Sequence, residues 1–483
     1  SKWYAFSAIA ISFVTTVMAS SMVFLVLPAI AEDFDMTLGA AGWIVIVEAL
    51  IISAFLLPVG ALADSMGRRR VLFAGMVLFG IGSVLVGLAG TFALVIGARI
   101  VMAVGNTLVQ SIGTGLLVAS FPPEERGLAL GAQTTAVAVG AASGPLVAGF
   151  ALEALSWESL FLLLAIPSAL SAVAVLLLID DQVEVETHDR GAFDWRGGAL
   201  SALSITALVV AINNPLDLDW TSPFIAATAV LGVLALGAFI AVELRHPAPM
   251  FPIQLFSISA FRTAVGVRVI GFLSSTTMMF LLPVFLLSYR DESVGAAGVI
   301  LFVNAVGLGL SAQMSGRMYD TVGPRLPSLF GLILQSACFA LLAFADRDTS
   351  LLLIAVASIT VGAAVGFWNV PNNSAMLGAT PAESLGVGGA FTNVTRTMGN
   401  VLGQAAMAAV VVGVMLADGF DTPLGEIADN PAAGDAFAAG WKAAFAVAAV
   451  VALAAAALAT RLPSTSARPP STRPARRDEK MTP

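Results

Sequence analysis

Hydrophobic positions along the chain gather into fourteen apolar stretches, near residues 5–30, 43–62, 71–89, 93–119, 127–151, 160–179, 198–213, 224–244, 263–288, 296–315, 326–344, 351–377, 386–416 and 441–460. The runs are continuous rather than alternating, and most approach the roughly 20 residues that a helix needs to cross a hydrocarbon core. They therefore predict an all-α, polytopic membrane protein and exclude the strands of an outer-membrane barrel. The first stretch is too long for a signal-peptide core and reads as the first helix. The Pro/Ser/Arg-rich residues 461–483 are expected to form a disordered tail.

An internal repeat organises these stretches. Gly60, Asp64, Gly67 and Arg69 recur as Gly316, Asp320, Gly323 and Arg325 at an offset of 256, and Gly140 and Gly144 recur as Gly399 and Gly403 at 259. Six helices with short loops need only about 180 to 200 residues, so the offset leaves room for two further helices between the copies. The expected plan is a six-helix half over 1–180, two inserted helices within 181–262, a second half over 263–460 and the tail. Parallel halves related about the membrane normal are a transporter architecture.

Composition sharpens this picture mainly by exclusion. Of 483 residues, 58% are hydrophobic and 11% charged, and a mean hydropathy of +0.92 rules out a water-soluble globule. The formal charge of -8 sits mostly in loops and says little about partners; nothing points to nucleic acid. One cysteine, Cys338, precludes an intrachain disulfide, and with only His188 and His246 a Cys/His metal site is not expected; no cofactor is implied. The absence of a nucleophile/His/acid grouping and of a phosphate loop argues against an enzyme, and the absence of a soluble output domain against a sensor. Lys and Arg give the orientation: with the N-terminus inside, 17 of 23 fall on the inner side, three in outer loops (Arg290, Arg347, Lys442) and three within apolar stretches (Arg99, Arg268, Arg396). That bias places both termini in the cytoplasm of a multi-pass inner or plasma membrane protein.

The polar residues inside the stretches are the candidate chemistry. Glu48 is the one acid well inside a span, five residues past Trp43 and so roughly 7 to 8 Å deep. Burial disfavours a charged carboxylate and makes it a possible proton carrier; an interfacial snorkelling Glu or a structural acceptor are the alternatives. Arg99 and Arg396 lie deep enough to need partners; for Arg396 these are Glu48, an anionic substrate group or a structural acceptor, and for Arg99 a structural pairing is one reading. Arg268, nearer a boundary, can snorkel. Asn106, Gln110, Gln133, Asn304, Asn369, Asn372 and Asn373 either line a cavity or join helices, while Met278, Met279 and Trp368 offer apolar, polarizable surface for bulky ligands. In GALADSMGRRR, Gly60 to Arg70, the glycines allow a tight turn, and Asp64 can receive a helix N-terminus or an arginine as a latch; an ordinary positive-inside loop reads the same way.

This stretch resembles the signature loop of the major facilitator superfamily, with Gly60, Asp64, Gly67, Arg68, Arg69 and, in the second copy, Asp320 as the conformational latch. Arg99 with Gly105 resembles the family's helix 4 motif, and Gly140, Gly144, Pro145 and Gly149 its antiporter motif. Fourteen spans, FDWRGGAL (Phe193 to Leu200), VELRHPAPMF (Val242 to Phe251) and TRTMGNVLG (Thr395 to Gly403) are similar to the fourteen-helix drug:proton antiporter branch. The resemblance implies a monomeric secondary transporter that exports hydrophobic or amphipathic small molecules across the bilayer by proton antiport and alternating access. A carrier of lipids or endogenous metabolites is the alternative. It further implies a proton-relay role for Arg99, with Glu48 the candidate carrier by its depth in an apolar run, and a substrate cavity that includes Asn106, Gln110, Gln133, Met278, Asn304, Trp368, Asn369, Asn373 and Arg396. The chain departs from the branch at Ala19, where an acid is expected before the Leu-Pro pair, at Glu158, where a basic residue is usual, and at Tyr319 and Pro324 in the second latch.

Overall fold

The structure is a computed structural model that describes residues 2–36, 41–122, 125–152, 155–179, 194–213, 222–246, 249, 251, 253–381, 385–420 and 431–464. Among these residues there are no strands and fourteen long α-helices: α1 (Lys2–Asp33), α2 (Trp43–Met66), α3 (Arg68–Gly87), α4 (Phe92–Ser120), α5 (Arg126–Leu152), α6 (Trp157–Leu178), α7 (Trp195–Asn213), α8 (Pro223–Glu243), α9 (Ser259–Val284), α10 (Val294–Val322), α11 (Arg325–Leu342), α12 (Leu351–Gly378), α13 (Leu385–Ala417) and α14 (Pro431–Ala459). Thirteen are long and apolar enough to cross a membrane; α5 is not among the thirteen and includes residues whose side chains are not described. The expected tail lies outside the described residues beyond 464.

The local sequence explains where helices start and turn. Thr91, Ser293 and Ser350 cap α4, α10 and α12 through side-chain oxygens that accept from Leu94, Ala296 and Leu353 N–H groups. Gly67 ends α2 with φ 95° and Gly323 ends α10 with φ 78°, a backbone region that favours glycine. Their N–H groups donate to Ala63 and Tyr319 carbonyls at 3.0 and 2.9 Å, so the repeated loop is also a repeated turn. Arg68 and Arg325 follow these turns directly and mark what is here termed the basic end of the bundle. Pro283 precedes a π-helical turn at Phe285–Tyr289, a local widening expected where proline removes a ladder hydrogen bond.

Packing repeats with the sequence. In the first copy α1 packs on α4, α5 and α6, α3 on α4 and α6, and α2 on α4; the same contacts recur from α9 to α14. Between the copies, α5 meets α10 and α12, and α13 meets α2 and α4, so the seams obey the same two-fold relation. The pair α7 and α8 pack on each other, with α7 resting on α2 and α13 along one seam.

The cores show which end is closed. At the end far from Gly67, one cluster around Phe79, Trp157 and Phe161 belongs wholly to the first copy. Another there, around Phe285, Trp441 and Phe445, belongs wholly to the second. Towards the basic end the clusters cross over: Leu56 and Leu57 join Val387, Ala390 and Val394, while Leu116 and Leu130 join Ala312, Val370 and Leu385. Apolar burial thus welds the copies together at the basic end.

Candidate functional site

Glu48 is buried, 7% exposed, and every acceptor site it offers is engaged from another helix. Its Oε2 is ion-paired with Arg99 Nη2 of α4. Its Oε1 accepts from Ser20 Oγ of α1 at 2.8 Å and from Asn106 Nδ2 of α4 at 2.9 Å. Arg99, 1% exposed, also contacts Met102 Sδ at 3.3 Å, lies 5.9 Å from the Phe161 ring, and leaves Nε without a hydrogen bond among the described residues. A buried pair of this kind gains little over an apolar packing, but losing one partner strands the other charge. Arg99 thus holds one carboxylate oxygen while Ser20 and Asn106 hold the other. Ala19, where the family's usual acid is missing, is buried beside Ser20 and carries no such chemistry.

From this pair a polar chain runs into the second copy. Gln110 Nε2 donates to Asn106 Oδ1 at 3.1 Å, and Gln110 Oε1 accepts from Arg396 Nη2 of α13 at 3.1 Å. Asn393 Nδ2 adds a bond to the Gln110 carbonyl at 2.9 Å. Arg396 therefore pairs with Gln110 and not with Glu48, whose carboxylate Arg99 already occupies. Arg268 does not snorkel: it is 3% exposed and donates to Asn369 Oδ1 at 2.6 Å and to the Thr392 carbonyl at 2.8 Å. Sequence reasoning left it unassigned because α9 starts at Ser259, before the apolar run, and so sets Arg268 a turn deeper than the pattern implied.

Other predicted cavity residues are used within the helix bundle. Gln133 Nε2 donates to Thr114 Oγ1 at 2.8 Å, and Asn304 Nδ2 to the Ser358 carbonyl at 2.8 Å, both joining neighbouring helices. Met278 sits in the apolar core of the second copy, 3% exposed. Trp368 is fully buried, donates to Gln335 Oε1 at 2.8 Å and stacks edge-on to Phe272. Neither faces open space. Gln335, a further buried polar centre that the sequence reading missed, also bonds Ser274 and Ser275. Asn372 donates to the Ala264 carbonyl at 2.9 Å, and Asn373, one turn beyond Asn369, has a buried Oδ1 without a partner among the described residues.

At the basic end, Asp320 accepts from Gly127 and Leu128 N–H groups at 3.0 and 3.1 Å, so a carboxylate of α10 caps the N-terminus of α5. A Cβ at Gly127 or Gly316 would strike the other's backbone, and Gly131 meets the Ala312 carbonyl in the same way. The Asp64 side chain lies outside the described residues. Gly60 is buried within α2. Arg68 is buried, and Arg69 Nη2 bonds the Leu176 carbonyl at 2.5 Å, a contact inside its own copy and not across the seam. Gly140 and Gly144 pack against Val14, Val17, Met18 and Ser21 of α1, as Gly399 and Gly403 pack against Val269 and Leu273 of α9. The side chain of Pro145 and the surroundings of Gly149 lie outside the described residues. Glu158 falls in the first turn of α6, where an acid complements the helix dipole.

Comparison with known proteins agrees with this architecture. The family model described as Major Facilitator Superfamily matches residues 9–404. The riboflavin transporter RibZ of Clostridioides difficile (strain 630) is 27% identical over 404 residues, 84% of this chain and 87% of that protein. The multidrug resistance protein Stp of Mycobacterium tuberculosis (strain CDC 1551 / Oshkosh) is 27% identical over 389 residues, 80% of this chain and 71% of that protein. The crystal structure of the human organic anion transporter MFSD10 superposes with a TM-score of 0.65 at 14% identity, covering 95% of this chain and 99% of that one, a likeness of fold alone.

Proposed function

Since the chain belongs to the Major Facilitator Superfamily, we propose that it is a secondary active exporter of amphipathic small molecules, driven by protons through Glu48. It works as a monomer in the inner or plasma membrane, with both termini and the basic end in the cytoplasm. Among the described residues the apolar clusters that join the two copies lie towards the basic end, which in that orientation supports an outward-open reading. The observation that carries the reading is the Glu48–Arg99 pair, buried about 27 Å along α2 from the basic end at 1.5 Å per residue. There it lies between α1, α2 and α4 of the first copy, in the half of α2 away from the basic end, where a proton from outside would displace Arg99 from Glu48. The Asn106–Gln110–Arg396 chain then conveys that change to the second copy.

Multidrug resistance among the relatives supports a drug-like cargo, and the riboflavin transporter supports a metabolite as the second reading. Proteoliposomes of the purified chain with an imposed pH gradient test the proposal. Accumulation of an amphipathic dye, collapsed by a protonophore and accompanied by counter-movement of protons, is expected. Dye movement that ignores the pH gradient would overturn proton coupling, and a nucleotide requirement would overturn secondary transport.

A further inference from the structure

The charges set within the helices of the two copies are not balanced alike. In the first copy Arg99 is neutralised by Glu48. In the second, Arg268 and Arg396 have only neutral acceptors: Asn369 and the Thr392 carbonyl for Arg268, and the Gln110 amide for Arg396. Among the described residues, neither has a carboxylate partner, and Nη2 of Arg268 with Nε and Nη1 of Arg396 donate to nothing. Arg268 of α9 bonds the carbonyl of Thr392, one turn before Arg396 on α13, so the two guanidinium groups lie against consecutive turns of that helix.

Their depth is shared. Arg268, Asn369, Arg396 and Gln110 lie nine to eleven residues from the basic ends of α9, α12, α13 and α4, which at 1.5 Å per residue is a layer about 14 to 16 Å in. Of these helices α13 meets α4 of the first copy, and α9 and α12 pack on α13 behind it. Behind Arg268 the layer is apolar, Phe272 and Trp368 packing with ring centroids 5.0 Å apart. Two like charges in the middle of a membrane bundle without a counter-ion are costly, and the missing partner is a negative charge.

We propose that Arg268 and Arg396 form an anion subsite, with free guanidinium N–H groups that receive the carboxylate or sulfonate of an amphipathic organic anion. This inference rests on the transport reading and narrows its cargo to singly charged anions with an apolar ring body. It assigns Gln110 a second duty: its amide holds Arg396 while the subsite is empty, and a bound anion competes for that guanidinium.

The test uses 8-anilino-1-naphthalenesulfonate and N-phenyl-1-naphthylamine, which share a ring system and differ by the sulfonate. Binding of each to the purified full chain in uncharged detergent is titrated by fluorescence, with protein-free detergent subtracted. The sulfonate probe is expected to bind about tenfold more tightly or better. Arg396→Gln should lower that affinity about tenfold and leave the uncharged probe within about twofold, while Arg396→Lys retains most of the preference. Arg268 holds α12 and α13 together, so Arg396 is the informative position.

Equal affinity for the two probes in the parent protein, or a sulfonate preference that survives Arg396→Gln, overturns the subsite. Proteoliposomes separate this from the transport reading. Arg396-dependent sulfonate binding by a protein that moves no dye keeps the subsite and discards transport. Proton-driven dye export with no preference for anions does the reverse.

Discussion

Glu48 Oε2 is held by Arg99, and in the proposed mechanism a proton takes that place. Glu48→Gln keeps a hydrogen-bonding shape but cannot titrate, so dye accumulation driven by a pH gradient should vanish while downhill exchange in the same vesicles persists. Glu48→Ala strands the Arg99 charge and should lower unfolding stability in detergent by about 3 to 5 kcal/mol, the range for removing one member of a buried pair. Wild-type proton counter-movement in Glu48→Gln would remove the carrier role. The sequence made Glu48 legible, because an acid within an apolar run stands out. Its partner was not, because depth along two different helices says nothing about which side chains share a face. Met278 and Trp368 were misread for a related reason: helices apolar all round carry no polar stripe to give away the buried side. Arg268 was missed because the helix begins before its hydrophobic run does.

The α5–α10 contact is built from glycine, and its strength can be tuned there. Gly127, Gly131, Ala312 and Gly316 let two backbones touch, and Asp320 closes the end by capping α5. Asp320→Asn retains an acceptor but loses the charge facing the helix dipole, worth about 1 kcal/mol, or roughly a fivefold shift toward separation of the basic end. Spin labels on α5 and α10 read by electron-electron resonance should show the longer distance gaining population, with ligand affinity changed by no more than a few fold. Gly316→Val goes further, since its side chain would strike the Gly127 carbonyl. The closed basic end should become undetectable in the same distance measurement, and an unchanged distribution would show that the glycine contact does not set the closure. At this scale the sequence was most informative. The offset of 256 places Gly67 over Gly323 and Asp64 over Asp320, and the structure puts the same positive-φ turn at both glycines.

Across the whole molecule, fourteen apolar runs and a repeat were enough to give an all-α bundle of membrane-crossing helices. The conformation was not legible, because one set of residues must serve both a closed and an open arrangement of the seams. Only the placement of the apolar clusters tells them apart. The pair α7 and α8 touches the rest mainly through α7 on α2 and α13. Substitutions on the exposed face of α8, such as Leu234→Ala at a residue 66% exposed, should leave transport rates within about twofold, because they remove no contact within either copy.

The unpaired arginines have an electrical consequence. In the proposed outward-open state water reaches as far as the closed end, and any transient loosening of that seal would let hydronium and sodium ions through if nothing opposed them. Arg268 and Arg396 set a region of positive potential across that path, the device by which a fixed guanidinium excludes cations from a water-filled pore. On the proposed reading the empty carrier would thereby be insulated, and the barrier would fall when a bound anion cancels it. Vesicles holding Arg396→Gln should accordingly dissipate an imposed proton gradient faster than the parent protein in the absence of any cargo, and equal leak rates would show that the insulation lies elsewhere.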